Sequence, residues 1–187
     1  MNLRWHYFLP QSIANGPGKR SVLWLQGCAL GCPGCCNPGL QPLSGGKLAS
    51  VDSIFEMIRH AAPLVDGITI SGGEPFLQAE ALFLLLQRLR TETDLSVFVY
   101  SGYTREFLSA NPETSRCLPL IDAILCGPYL QQLETPAGDF RPSENQQLWL
   151  LSDRFTTEDF SNLPMFEFFI AENGDLIQTG AVRKEIS

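Results

Sequence analysis

The stretch that decides how this chain is read is Leu23-Trp24-Leu25-Gln26-Gly27-Cys28-Ala29-Leu30-Gly31-Cys32-Pro33-Gly34-Cys35-Cys36-Asn37. Cys28, Cys32 and Cys35 stand at spacing C-x3-C-x2-C in a loop punctuated by glycine and proline, directly after a short apolar run. Glycine reaches dihedrals that residues with a Cβ avoid, so such a loop can turn three thiolates toward one point. Three is one fewer than the four that ordinarily hold a 4Fe–4S cluster or a structural zinc. A cluster held this way keeps one iron open to another ligand, and that open corner is the first functional expectation.

Two plainer readings stand beside it. Cys36 could supply a fourth sulfur to zinc, although adjacent cysteines rarely both reach one metal, and the chain has only His6 and His60 besides. A cluster serving as structure or as an electron carrier would need no open corner. Disulfides are the weaker reading of six cysteines, because four of them crowd between positions 28 and 36, where pairs are sterically awkward. Cys36, Cys117 and Cys126 otherwise read as buried apolar thiols.

Outward from this stretch the chain alternates strand and helix. Ser21 to Gln26 reads as a buried strand that delivers the cysteine loop at its C-terminal end. Before it, residues 1–20 look irregular and close on the turn-forming run Asn15-Gly16-Pro17-Gly18-Lys19-Arg20. After it, Gln41 to Lys47 reads as a Pro/Gly-rich connection. Ser50 or Asp52 then caps a helix carrying Val51, Ile54, Phe55 and Ile58 on one face and stopping near Pro63. Gly67 to Ser71 is a second strand, followed by Gly72-Gly73-Glu74-Pro75 and a helix over about Gln78 to Arg90. Leu95 to Tyr100 is a third strand, tipped by Ser101-Gly102-Tyr103-Thr104 with a short helix behind. Ile121 to Leu125 is a fourth, ending in Cys126-Gly127-Pro128-Tyr129.

This rhythm predicts βαβ units and a parallel sheet, an α/β fold. In such sheets the site collects at the C-terminal strand ends, where all four of these loops would meet. Gln147 to Leu151 reads as a later strand. Phe166 to Ala171 and Leu176 to Thr179 flank Asn173-Gly174 as a C-terminal β-hairpin, with a frayed tail past Val182.

Bulk properties narrow the classes. A chain of 187 residues, 44% apolar, can form one domain with a continuous core. We divide it into the segment 1–20, core βα units over 21–130, and C-terminal strands and hairpin over 131–187. Thirteen basic against twenty acidic residues leave a net charge of −7, which argues against nucleic acid as a partner. With no apolar run of membrane-spanning length and no leader-like opening, the sequence reads as cytoplasmic, without a membrane partner.

Gly72-Gly73-Glu74-Pro75 alone is a weak signal, since paired glycines simply make turns. Two residues without side chains would also let a ligand lie against the main chain. Behind an upstream cysteine triplet it becomes specific. Together, Cys28-x3-Cys32-x2-Cys35 and Gly72-Gly73-Glu74-Pro75 resemble the radical S-adenosylmethionine superfamily. Within it, the chain is similar to the small activating enzymes of glycyl radical enzymes, in particular the activators of anaerobic ribonucleoside-triphosphate reductase. Further matching stretches are Asn15 to Arg20, Leu25 to Cys28, Cys35 to Pro38, Ser101 to Thr104, Asp122 to Tyr129, Arg141 to Gln146 and the hairpin through Gly180. They fall in the family's order over most of the chain.

The resemblance implies a partial, open TIM-like barrel of parallel strands with flanking helices, plus the C-terminal hairpin. It implies two cofactors, a 4Fe–4S cluster on Cys28, Cys32 and Cys35, and S-adenosylmethionine chelating the remaining iron. One electron passed to the sulfonium then yields methionine and a 5′-deoxyadenosyl radical, which takes hydrogen from a backbone glycine of a partner enzyme. A low-potential donor such as flavodoxin or ferredoxin would supply the electron. Gly72, Gly73 and Glu74 would line the methionyl end, with Pro75 fixing the turn. Ser101 matches a position used toward the cofactor, or is an ordinary strand-end cap. Arg141 and Asn145 match a later motif near the same pocket, or organise their loop.

Three positions depart from the pattern. Gly34 stands where many members carry an aromatic residue, and Cys36 replaces the usual aromatic or His. Cys126 stands where these activators commonly have Asp, a carboxylate suited to a ribose hydroxyl; a thiol is a poorer partner. Alternative functions are a radical enzyme acting on another peptide or a small molecule, and a non-enzymatic iron–sulfur or zinc module.

Overall fold

The computed structural model describes residues 1–136, 139–164, 166–170, 174 and 176–180. The elements run, in chain order, β1 (Asn2–Ser12), β2 (Arg20–Leu25), β3 (Lys47–Ser50), α1 (Val51–Ala61), β4 (Gly67–Gly72), α2 (Ala79–Glu92), β5 (Ser96–Ser101), α3 (Arg105–Ala110), α4 (Pro112–Ser115), β6 (Ala123–Cys126), β7 (Gln147–Leu150), β8 (Phe166–Ile170) and β9 (Leu176–Gly180). The first seven strands form one sheet in the order β3-β1-β2-β4-β5-β6-β7, and β8 pairs with β9 alone. Within the large sheet β2, β4, β5 and β6 are mutually parallel, while β1, β3 and β7 join antiparallel. The fold is mixed α/β with a parallel-rich centre, as the strand–helix rhythm predicts.

One expectation is corrected. Residues 1–20 are not irregular, because β1 occupies most of them and pairs with β2 on one side and β3 on the other. Trp5, Tyr7 and Phe8 favour a strand, but Pro10 and the absence of Val, Ile or Thr count against one running through to Ser12. Pairing on both sides supplies what propensity lacks. The cost of the proline is visible as a register shift between Leu9 and Ser12, where a residue without an N–H cannot continue the ladder.

The helices form where periodicity places them. Ser50, not Asp52, caps α1, its Oγ accepting from the Ser53 N–H at 3.0 Å. Ile54, Phe55 and Ile58 of α1, with Leu82, Leu85, Leu86 and Leu89 of α2, bury against Leu23, Leu25, Ile68, Ile70, Val97 and Val99. Each such side chain contributes about 1.5–3 kcal/mol on leaving water, so this layer dominates the stability of the fold.

The opposite face of the sheet is covered differently. Phe98, Ala123 and Leu125 meet Phe160, with Phe140, Phe155 and Leu163 packed around them. Helices thus cover one face and a C-terminal aromatic segment the other.

The hairpin forms as expected, Phe166 opposite Gly180 and Ile170 opposite Leu176. Asn173 of its turn and the tail beyond Val182 lie outside the described residues. Among the described residues no helix is long and apolar enough to cross a membrane.

Candidate iron–sulfur and cofactor site

Because β2, β4, β5 and β6 run parallel, their C-terminal ends lie on one side of the sheet. They deliver, in turn, the cysteine loop, the Gly72–Pro75 turn, the Ser101–Thr104 turn and the Cys126–Tyr129 turn. The expected meeting of these four loops is what the topology produces.

The cysteine loop is fastened at both limbs. The Gly27 N–H donates to the Leu40 carbonyl at 2.8 Å and the Cys28 N–H to the Gln41 carbonyl at 2.9 Å. Gln26, only 2% exposed, turns its amide into the same seam, and Nε2 donates to the carbonyls of Gly39 at 3.2 Å and Pro42 at 2.8 Å. Gln78 completes the support by donating to the carbonyls of Arg4 at 2.9 Å and Gln26 at 3.2 Å. Sequence reasoning assigned no role to either glutamine. The available signal for Gln26 was a polar residue at the end of an otherwise apolar buried strand.

The six cysteines are free. Cys28, Cys32 and Cys35 share the loop, and a turn closes from the Cys35 N–H to the Cys32 carbonyl at 3.2 Å. Among the described residues no three His, Cys, Asp or Glu side chains stand close enough to hold a single metal ion. Burial pushes the Cys28 thiol up, and the charges of Glu74, Cys32 and Cys35 push it further. Cys35 is drawn down to about 6, first by a hydrogen bond from the Cys36 thiol, then by the Asn37 N–H and the Gln41 side chain, against burial. Cys36 is driven the opposite way by the same contact. Cys36 therefore stays a thiol beside a Cys35 poised to ionise.

The Gly72–Pro75 turn is welded to this loop. The N–H groups of Gly73 and Glu74 each donate at 2.8 Å, to the carbonyls of Leu25 and Gly27. A Cβ on Gly72 would stand 2.3 Å from the Leu25 carbonyl oxygen, and one on Gly73 2.1 Å from that of Gly27. Gly72 also has φ +111°, open to glycine and strained for other residues. The paired glycines therefore serve a close approach of main chain to main chain. Glu74 is 1% exposed. Its Oε1 accepts from the Ser101 hydroxyl at 2.9 Å and the Phe76 N–H at 3.1 Å, its Oε2 from the Gly102 N–H at 2.7 Å. Burial raises its carboxyl to about 7, with these three donors pulling back. None of the groups that shift Cys28 or Glu74 is cationic. Pro75 opens the short 3-10 turn that Glu74 caps.

The remaining candidates are placed unequally. Ser101 lies beside Cys126 across β5 and β6. Cys126 is 2% exposed within the helix-side core, its thiol donating to the Gln147 carbonyl at 3.3 Å and pushed up to about 11 by burial. Arg141 is committed to Asp139 at 2.7 Å. Asn145 donates through Nδ2 to the Pro128 carbonyl at 2.8 Å, while its Oδ1 is buried without a partner. An unsatisfied buried acceptor is costly and points to a donor that arrives with a ligand.

Three thiols carried on one loop, bonded through the main chain to an acidic Gly-Gly-Glu-Pro turn at one end of a parallel sheet, define the class: radical S-adenosylmethionine proteins with a single 4Fe–4S cluster. The family described as a 4Fe-4S single cluster domain matches residues 14–149. The anaerobic ribonucleoside-triphosphate reductase-activating proteins of Vibrio cholerae and Escherichia coli are each 31% identical over 150 residues, spanning 77% of this chain and 96% of theirs. A putative glycyl-radical enzyme activating enzyme of Haemophilus influenzae is 38% identical over 89 residues, 46% of this chain and 34% of that one. Among solved structures, QueE from Escherichia coli aligns with a TM-score of 0.47 at 17% identity, covering 56% of this chain and 54% of that chain. The chain belongs to the family of anaerobic ribonucleoside-triphosphate reductase-activating proteins.

Proposed function

We propose that this chain carries a 4Fe–4S cluster on Cys28, Cys32 and Cys35, binds S-adenosylmethionine beside it, and activates a glycyl radical enzyme, the anaerobic ribonucleoside-triphosphate reductase. When bound, the cluster and S-adenosylmethionine supply the reductive chemistry that generates a 5′-deoxyadenosyl radical able to take hydrogen from a partner's glycine. The observation that carries this reading is the direct main-chain link from Gly73 and Glu74 to Leu25 and Gly27, which sets the acidic turn against the loop bearing the three thiols.

The residues present fit both groups. Three soft sulfur donors, one drawn down to about 6, suit iron–sulfur ligation. An acidic turn set against the thiol-bearing loop, with no cationic group among those that shift Cys28 or Glu74, favours a ligand bearing a sulfonium and an ammonium. Cys36, a non-ligand in this reading, stays protonated beside Cys35. In the C-terminal motif Asn145 is the stronger candidate, because its Oδ1 lacks a donor while Arg141 is engaged by Asp139. The chain's own contribution is to hold the loop, bury the turn and keep water from it.

We further propose that the sheet curves as a partial, open barrel. Helices packed on one face only support this, as do antiparallel strands at both edges. A single domain is supported by β5, whose Val97 and Val99 enter one core while Phe98 enters the other. Flavodoxin or ferredoxin is the proposed class of electron donor.

Anaerobic reconstitution tests the assignment. Wild-type protein and Cys36→Ala are expected to hold four irons per chain, the count of one such cluster, and Cys32→Ala none. Adding the reductase with reductant and S-adenosylmethionine should produce an organic glycyl radical signal. Steady 5′-deoxyadenosine without that signal would favour another peptide or small-molecule substrate, and no cluster at all would leave only a zinc or scaffold role.

A further inference from the structure

Ser101 has one proton to donate, and the fold has already used it. The residue is 4% exposed. Its hydroxyl donates to Glu74 Oε1 at 2.9 Å, and its oxygen accepts the Tyr103 N–H at 3.1 Å. The other carboxylate oxygen of Glu74 holds the Gly102 N–H at 2.7 Å. Contact with a cofactor as donor would break the bond to a buried carboxylate, which is costly to leave short of a partner.

These bonds join more than two residues. Glu74 belongs to the turn after β4, and Ser101, Gly102 and Tyr103 to the turn after β5. The Gly127 N–H, after β6, donates to the carbonyls of Ser101 at 3.1 Å and Tyr103 at 2.8 Å. On the other side, the position a Cβ would take on Gly102 lies 2.2 Å from Leu30 Cδ1, so Leu30 of the cysteine loop rests on the bare face of Gly102. Three strand tips and the cysteine loop therefore converge on one buried hydroxyl–carboxylate pair.

We infer that Ser101 is a positioning residue that acts through Glu74, latching the tips of β4, β5 and β6 at fixed spacing beside the cysteine loop, and does not itself touch the cofactor. The role rests on the proposed reading that S-adenosylmethionine lies over the Gly72–Pro75 turn. Its geometry does not.

The experiment has two arms. In cluster-free protein, amide hydrogen exchange at Gly102 and Tyr103 is compared between wild type, Ser101→Ala and Ser101→Thr. Ser101→Ala should speed both amides by about tenfold, the scale of a lost hydrogen bond, with wild-type rates in Ser101→Thr. Unchanged exchange in Ser101→Ala would overturn the latch. In reconstituted protein, S-adenosylmethionine is titrated against the electron paramagnetic resonance spectrum of the reduced cluster, for Ser101→Ala, Ser101→Thr, Glu74→Gln and the Ser101→Ala/Glu74→Gln double variant. Ser101→Ala should bind about tenfold more weakly, as loss of a supporting contact does, and Ser101→Thr should bind normally. The double variant should be no weaker than Glu74→Gln alone, because both changes break one unit. Additive losses would mean that Ser101 touches the cofactor directly and would overturn the inference. If wild-type protein shows no spectral response, the cofactor reading fails, while the exchange arm still decides the latch.

Discussion

Gly73 lies so close to Gly27 that a methyl group on it would stand 2.1 Å from the Gly27 carbonyl oxygen, the atom to which Glu74 donates at 2.8 Å. One strand tip thus rests on the root of the cysteine loop with no space between. The identity of residue 73 therefore governs the loop that bears the three thiols.

Gly73→Ala is expected to force these two main chains apart. The obstacle is backbone, which cannot swing aside as a side chain can, so overpacking should cost about 1–3 kcal/mol. Urea unfolding of the cluster-free variant measures that cost, and iron content after reconstitution measures the displacement of the loop. A normal midpoint with full iron would show that the contact relaxes freely.

Gln26→Leu keeps the bulk of the side chain and removes its amide. The carbonyls of Gly39 and Pro42 lose their donor, at about 1–3 kcal/mol in total for groups left unsatisfied. The closing limb of the loop should loosen, and iron should be lost faster than from wild type in the presence of a chelator. Equal rates of loss would mean that backbone bonds alone hold the loop.

Cys126→Asp places a carboxylate at a position that is 2% exposed within the helix-side core. The carboxylate would be buried in the helix-side core, facing the Gln147 carbonyl that now receives the thiol proton. Burying a charge without a partner is expensive, so the variant should lose at least about 2 kcal/mol at neutral pH and recover part of it in acid. Cys126→Ser retains a donor to Gln147 and should lose less. Equal urea midpoints for Cys126→Asp and wild type would show that the strand end repacks around the carboxylate.

Asp122 makes part of the fold's stability depend on pH. Burial alone would raise its carboxyl, but the Ser152 hydroxyl, the Val97 N–H and Arg90, at 2.7 Å, together hold it below the usual range. A carboxyl depressed in the folded state contributes its full stabilisation above its unfolded pKa, about 3.9. That contribution disappears as pH falls through the lower folded value. Wild type should therefore exceed Asp122→Asn by about 1.5–3 kcal/mol at pH 7, with the difference shrinking below about pH 4. A constant difference in urea titrations from pH 7 to pH 3 would remove Asp122 as the responsible group.

The strands and helices of the centre were legible because burial writes a period into the sequence. Gly67 to Ser71 carries no charged residue and buries Ile68 and Ile70 because a parallel strand is covered on both faces, and the residues around Ile54 repeat every three or four because one helix face is covered. β1 was not legible. Trp5, Tyr7 and Phe8 lend it some strand propensity, but Phe8 and Leu9 break the alternation ahead of a proline, and the strand is completed because β2 and β3 pair with it from either side. Nothing local to residues 2–12 records those partners.

The candidate site divides the same way. The spacing of Cys28, Cys32 and Cys35 and the Gly72–Pro75 turn stand in the sequence by themselves, since ligation chemistry needs those residue types within a short loop. The sequence determined which three thiols share one loop, the parallel order of the central strands and so the end of the sheet where the candidate site forms. Tertiary structure alone decided that the paired glycines serve a backbone contact, that Gln26 ties the cysteine loop, that Ser101 faces Glu74 and that Cys126 faces Gln147. Each of those contacts joins residues from different segments of the chain. A linear pattern can name two partners, but only the packed sheet sets the distance between them.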